Sequence, residues 1–343
     1  MLENTSFSLV SIHTALRMLQ RGSGDRTRIE LNKVLRSFYS KNVEMFFNRL
    51  YLASCSKKDS GFEMTVGNRL FTKFRISIQE KFKRVLAEDF RAEIEQAPRK
   101  RINQWVKETT KGTIEKLLPF GSVAGDTSIL VIATAYLKVD WESVFPGLKS
   151  YNSDFHRLDG SKMPVKLMHT ESYFEMIDLR QFNSRAVKIP FKDPRGWQNT
   201  YFTENEVSSV SEAKVVTITA VVYSGYYSYT LLVILPDAND GLPDLLRSLS
   251  KRTSFLFILL SDYFERTKLK LYLPRFKLKG GSNVDEEGAV AAAGTPVLEA
   301  DALSAVPSES VPVFRVDHPF FLSILWCECI PLFMGYITEP KEN

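Results

Sequence analysis

The chain has 343 residues, 44% hydrophobic and 25% charged, with a formal net charge of +5 at pH 7. That length and balance suit one large domain or two ordinary ones, with enough apolar side chains to bury a sizeable core. They exclude a disordered or collagen-like chain, and the mild, dispersed charge argues against a nucleic-acid binder.

The densest basic run, Arg99-Lys100-Arg101, reads as the solvated start of a helix rather than a nucleic-acid or heparin patch. The three cysteines, Cys55, Cys327 and Cys329, build no disulfide framework. Cys327 and Cys329 would share one face of a strand, where a bond between them is strained, so free buried thiols are expected. Four dispersed histidines, His13, His156, His169 and His318, add no metal-site spacing, and no metal or cofactor is expected. Residues 1–12 show no cationic start followed by an apolar run, so no signal peptide is read there. Phe320–Ile337 is the most membrane-like stretch, but Glu328, Pro331 and Gly335 interrupt it. Two buried strands joined by a turn explain it better than a membrane helix, and no membrane partner is expected.

In chain order, Asn4–Ile12 reads as a short strand entering a helix, with Ser11 placed to cap the free amides of the helix start. Leu16–Leu19 and Ile29–Val34 are helical, separated by a turn at Gly22–Gly24. Phe62–Phe71 alternates as a strand, and Ile76–Phe90 has helical periodicity. Arg101–Leu118 reads as a further helix, with Trp105 and Val106 on its buried face. Thr127–Val139 is apolar on both faces, which predicts a central strand of a covered sheet. Val187–Pro190 is a strand leading toward a hairpin, and Leu231–Asp237 opens with a second apolar run. Between them, 193–226 is a polar and Val-rich tract that reads as an insertion. Lys268–Phe276 alternates charged and apolar residues before a proline, as a half-buried strand does.

One stretch does not fit ordinary globular chain. Val284–Thr295 runs Val-Asp-Glu-Glu-Gly-Ala-Val-Ala-Ala-Ala-Gly-Thr. It is too small-residued to build a core and too apolar for an ordinary solvated loop. Alanines carry little side-chain entropy, and Gly288 permits a backbone bend. Such a segment is either a flexible linker or a piece that is mobile in one state and a strand in another. Thr295–Val313 follows, with three prolines and no lysine or arginine. The chain then reads Phe314-Arg-Val-Asp-His-Pro-Phe320 and closes with Pro331-Leu-Phe-Met-Gly335. No nucleophile elbow, zinc-protease helix, phosphate loop or dinucleotide fingerprint is present, so the chain does not read as an enzyme.

A Glu-Glu-Gly hinge with an alanine run, a long loop, the Phe-x-x-Asp-His-Pro-Phe block and the Leu-Phe-Met-Gly ending, in this order and spacing, resemble the serpin family. Further wording agrees: Asn68-Arg-Leu-Phe71, the Trp105 helix, Leu231–Asp237 and Leu273-Pro-Arg-Phe276. The resemblance covers most of the chain, with a clipped start, the 193–226 insertion and a deletion between Phe276 and Val284. It implies an α+β serpin fold over 1–343. In that fold, helices pack around a large mixed or antiparallel main sheet plus smaller sheets, and 284–313 forms the hinge and an exposed reactive-centre loop.

The resemblance further implies a serine-type endopeptidase inhibitor that acts as a suicide substrate. A target protease attacks a bait bond in the loop, forms an acyl-enzyme, and is trapped as the cut loop inserts as a strand into the main sheet. Glu286, Glu287, Gly288, Ala289, Ala291, Ala292 and Ala293 would form the hinge, and Phe314, Asp317, His318, Pro319 and Phe320 the family signature. The family count puts the bait bond at Ala302–Leu303, with Val306 as an alternative register. A bait without cations suits an elastase- or chymotrypsin-like serine protease, with a cysteine protease as a second target class. The working unit is expected to be a monomer in the extracellular space, the cytoplasm being the alternative. A structural hydrogen bond to backbone, not acid–base work, is expected of His318. Three departures bear on the mechanism: Ala133 replaces an asparagine that bonds across the sheet opening, Pro296 removes one ladder amide, and the deletion takes most of the strand before the hinge. They keep open a non-inhibitory binding or storage serpin, or a defective splice form.

Overall fold

The computed structural model describes residues 2–35, 62–74, 76–124, 127–141, 150–191, 229–251, 255, 258, 263–277, 283–284, 311–326 and 330–340. Strand β1, Thr5–Ser8, runs directly into helix α1, Leu9–Gly22. The cap is Ser8, not Ser11: Ser8 Oγ accepts from the Ser11 amide at 3.2 Å. The helix begins one position after Ser8, which leaves Ser11 inside the first turn with its hydroxyl buried and without a hydrogen-bond partner. Helix α2, Asp25–Leu35, follows the expected turn and buries none of its side chains fully.

Strand β2 is Phe62–Thr72. Helix α3 is Glu80–Phe90, a later start than the periodicity suggested. Ile78 belongs to an extended lead-in and packs beside the Met18–Leu86 cluster, which produces an apolar spacing that mimics an extra turn. Arg91 ends α3 in the left-handed region at φ 48°. After β3, Glu93–Gln96, comes α4, Arg99–Thr109. Its expected continuation to Leu118 does not occur. The Thr110 hydroxyl turns back to the Val106 carbonyl at 2.7 Å, and Lys111 and Gly112 take φ of 52° and 83°. Trp105 and Val106 are buried as expected.

Strand β4 is Ile129–Val139. The remaining strands are β5 (Ser150–His156), β6 (Lys162–Leu179), β7 (Ser184–Pro190), β8 (Tyr229–Pro236), β9 (Glu265–Pro274), β10 (Phe276–Lys277), β11 (Asn283–Val284), β12 (Val313–Arg315), β13 (Phe320–Trp326) and β14 (Ile330–Ile337). Helix α5, Leu242–Leu249, lies between β8 and β9.

Nine strands form one sheet in the order β1-β14-β13-β8-β7-β6-β9-β12, with β5 also on β6. Among its described pairs all are antiparallel except β12 on β9. Strand β8 explains why this sheet is the centre of the molecule, since all eight of its residues are buried. Leu231, Val233 and Leu235 point into one core, and Leu232 and Ile234 into a second core that α5 closes with Leu242 and Leu245. An uninterrupted apolar run is what a strand covered on both faces requires. A second sheet holds β3-β2-β4, and β10 and β11 make a third.

Beside β1, Gly335 is a close approach. A methyl group there would overlap the Thr5 carbonyl oxygen of the neighbouring strand. Gly335→Ala therefore must push β1 off β14, and a fall in the melting midpoint of several degrees is expected, read by circular dichroism.

The tract expected as an insertion lies outside the described residues, but its two ends do not. Strands β7 and β8 pair as far as Pro190↔Thr230, and the Phe191 amide donates to the Tyr229 carbonyl at 2.9 Å. The chain thus leaves and re-enters at adjoining strand ends. Loop-closure entropy changes by only about 0.6 kcal/mol per doubling of length. Replacing 193–226 by an Asn-Gly turn should keep the fold and the melting midpoint within a few degrees, as measured by the same melt.

Candidate functional site

The described chain brackets the proposed loop on both sides. On the entry side, Asn283 and Val284 pair with Lys277 and Phe276 as the two-residue strand β11. On the exit side, Val313, Phe314 and Arg315 run parallel to Lys270, Leu271 and Tyr272 of β9. The Pro312 carbonyl accepts from the Lys270 amide, and the Val316 amide donates to Tyr272, each at 2.9 Å. Hinge residues Glu286, Glu287, Gly288, Ala289, Ala291, Ala292 and Ala293, and bait residues Ala302, Leu303 and Val306, lie outside the described residues, as do all three cysteines.

The signature block forms a staple at the exit. Phe314 and Phe320 are fully buried in the core that faces β8, and Pro319 is buried with them. Phe320 meets Phe276 edge to face at 5.6 Å, which ties the base of β10 to the start of β13. His318 is 6% exposed, with Nε2 at 2.7 Å from the Pro236 carbonyl oxygen and Nδ1 at 2.9 Å from Asp317 Oδ1. A carbonyl only accepts, so Nε2 carries a proton. Nδ1 faces a carboxylate oxygen, which brings the ring into direct contact with Asp317. Here is the backbone hydrogen bond expected of His318, beside an Asp317 contact that was not expected.

Burial raises the Asp317 carboxyl, but the His318 hydrogen bond and the nearby charges of His318, Arg315 and His156 outweigh it and hold the carboxyl below its ordinary value. Arg315 Nε stands 3.5 Å from Asp317 Oδ2, while its Nη2 donates to Ser153 Oγ at 2.8 Å. The Asp317 carbonyl accepts from the His156 amide at 2.8 Å. The staple therefore joins the loop exit to the ends of β5 and β8.

The sheet that would receive a loop is β3-β2-β4. Strand β2 pairs β4 over its full length, with Asn68 opposite Ala133. Asn68 Nδ2 donates to the Phe90 carbonyl at 2.9 Å, a contact along its own side of the sheet. Gly67 lets α4 sit close, because a methyl group there would overlap Thr134 and Thr109 and crowd Trp105. Arg69 lies over the Trp105 ring at 5.0 Å and pairs with Glu93 and Glu95 of β3.

Strand β4 corrects one expectation. Its residues are mostly half-buried, and among the described residues its only strand partner is β2. The run suggested a central strand because its hydrophobicity matches two covered faces. Beyond β4 in the chain's hinge region, the described strand β11 pairs with β10.

Several functional contacts were not found from sequence: Ser153, His156 and the Pro236 carbonyl on the staple, and Arg185, whose guanidinium lies 5.5 Å over the Phe314 ring. Residues so distant in sequence meet only through strand pairing. The one available signal was the Asp-His pair itself, since a buried imidazole needs a partner at each nitrogen.

Comparisons with known proteins agree with this architecture. A family model described as Serpin (serine protease inhibitor) matches residues 2–203, more than half of the chain. The chain belongs to the serpin family. It is 26% identical over 327 residues to Serpin-Z2B of Oryza sativa subsp. japonica, covering 92% of this chain and 76% of that one. It is 27% identical over 290 residues to a leukocyte elastase inhibitor of Xenopus laevis, covering 80% and 67%. The structure of human thyroxine-binding globulin in complex with thyroxine superposes with a TM-score of 0.73 at 19% identity, covering 99% and 93%; this likeness shows the fold alone.

Proposed function

We propose that the chain is one serpin unit that inhibits an elastase- or chymotrypsin-like serine protease as a suicide substrate, with 284–313 as hinge and reactive-centre loop. The observation that carries this reading is the pairing of a bracketed loop with an open sheet edge: β11 and β12 hold its ends, and β4 has no described partner on its outer side. The protease serine attacks the Ala302 carbonyl carbon, the bond to Leu303 breaks, and its nitrogen leaves with the serine proton as an amine. The freed hinge then adds to the outer edge of β4. Alternate small side chains, Ala289, Ala291 and Ala293, let it pass beneath the covering elements. The chain supplies no catalytic group of its own in this scheme.

Incubation with elastase or chymotrypsin tests it. An adduct that survives boiling in SDS is the expected product, and cleavage without adduct sinks the reading. The extracellular space is the working compartment, the cytoplasm the alternative, and fractionation of expressing cells distinguishes them.

One observation favours a second reading. Among the described residues, the strand before the hinge is Asn283–Val284, paired to β10 rather than to β4, so an inserted loop would gain β4 as its described neighbour on one side alone. A non-inhibitory binding serpin needs no insertion, and its loop would simply be cut.

A further inference from the structure

A cleft of about 160 Å³ opens at one end of the three-stranded sheet, between the first turn of α4 and the ends of β2 and β4. Its apolar walls are Phe71 on β2, Ala97 and Ile102 at α4, and Ile129 and Leu130 on β4, and Thr72, Thr127 and Ser128 bring hydroxyls to the lining. Phe71 and Ile102 are 2% and 3% exposed, so the floor is continuous with the core beneath α4. The charged side chains among the described lining residues are both cations, Lys73 and Arg99.

Arg99 is half-buried. Its Nη1 donates to the Leu118 carbonyl at 2.9 Å, and its guanidinium lies over the ring of Phe120. Its Nε and Nη2 have no acceptor among the described residues. A guanidinium with donors to spare, held against an apolar cleft, matches a carboxylate bidentately. The local helix field has the same sign, since α4 has no side-chain cap and no carboxylate in its first turn.

Volume sets the rest of the ligand. An apolar cavity of about 150 Å³ accepts benzene, so this cleft accommodates an apolar body of about that size.

We propose that the cleft binds a small monocarboxylate with an apolar body of about six carbons, its carboxylate on Arg99 and its body against Phe71, Ile102 and Ile129. Bound there, it joins the first turn of α4 to both β2 and β4. The site does not depend on loop cleavage, so it stands or falls apart from the inhibitory reading.

The test is a melt of the purified full chain titrated with benzoate or hexanoate, with benzyl alcohol and inorganic phosphate as controls. Both carboxylates should raise the midpoint saturably, and both controls should leave it unchanged. Arg99→Met, which keeps the apolar stem, should weaken benzoate binding at least tenfold with the fold intact by circular dichroism. Should that variant fold poorly, Ile129→Trp, which fills the cleft from a partly exposed position, should abolish the shift on its own. No saturable shift with either carboxylate overturns the proposal. So does an equal shift from benzyl alcohol, an equal shift from phosphate (a plain anion site only), or full benzoate affinity in either folded variant.

Discussion

On the proposed trapping mechanism, Ala291→Arg is expected to leave the chain a mere substrate. The loop would still be cut between Ala302 and Leu303, but the adduct band on a denaturing gel would fall at least tenfold relative to the nicked product. Insertion beside β4 would send alternate side chains toward the helices that pack on β2 and β4, and α4 already sits close enough that a methyl group at Gly67 would overlap Thr109. An unpaired guanidinium in such a place costs several kcal/mol, and every 1.4 kcal/mol is a factor of ten in partitioning. Ala292→Arg, one position along, points to the other side of the strand and serves as the register control. If both variants trap as well as the parent, the loop does not insert in this register.

The second large effect is expected at His318. Replacing it by leucine leaves the Pro236 carbonyl and the Asp317 carboxylate without the donor each now has at 2.7 and 2.9 Å. Stranding a buried carbonyl and a half-buried carboxylate costs on the order of 2–5 kcal/mol, enough to lower the melting midpoint of a chain this long by roughly three to seven degrees. Asp317→Asn should be milder, because an amide can donate to Nδ1 while Nε2 still donates to Pro236.

The two variants also separate by pH. The Asp317 carboxyl is held below its ordinary value in the folded chain, so its contribution is complete above the unfolded value and is lost as pH falls through the lower folded one. Between pH 5 and pH 3 the parent should therefore lose more stability than Asp317→Asn does. A parallel decline in both would mean that the Asp317–His318 pair adds nothing.

How far the sequence spoke depended on how far apart the partners lie. Strand β8 was legible because a run buried on both faces is local information, and so was the α4 face that buries Trp105 and Val106. The Phe314–Phe320 block was legible through composition and order, while the hinge and bait residues lie outside the described residues. The ends of elements were not. Ser8 rather than Ser11 caps α1, and α4 stops at Thr109 because of one hydroxyl and two left-handed residues, signals that helical periodicity overrides. Nor was the place of β4, whose apolar character is that of a central strand while its described partner lies on one side only. The staple shows the same limit. His318 announced that it needs partners, but Pro236 lies 82 positions away and Ser153 reaches the block only through Arg315.

The central claim is that cutting the loop lets it add to the outer edge of β4, which has no partner among the described residues. The measurement that addresses this most directly is the melting midpoint of the intact chain against that of the chain nicked by a protease and purified. Strand addition should raise the midpoint by about ten degrees or more, which in a chain of this length corresponds to roughly 7 kcal/mol. Equal midpoints, with the loop cut and both fragments still associated, would contradict the account and leave a serpin whose loop is only a substrate.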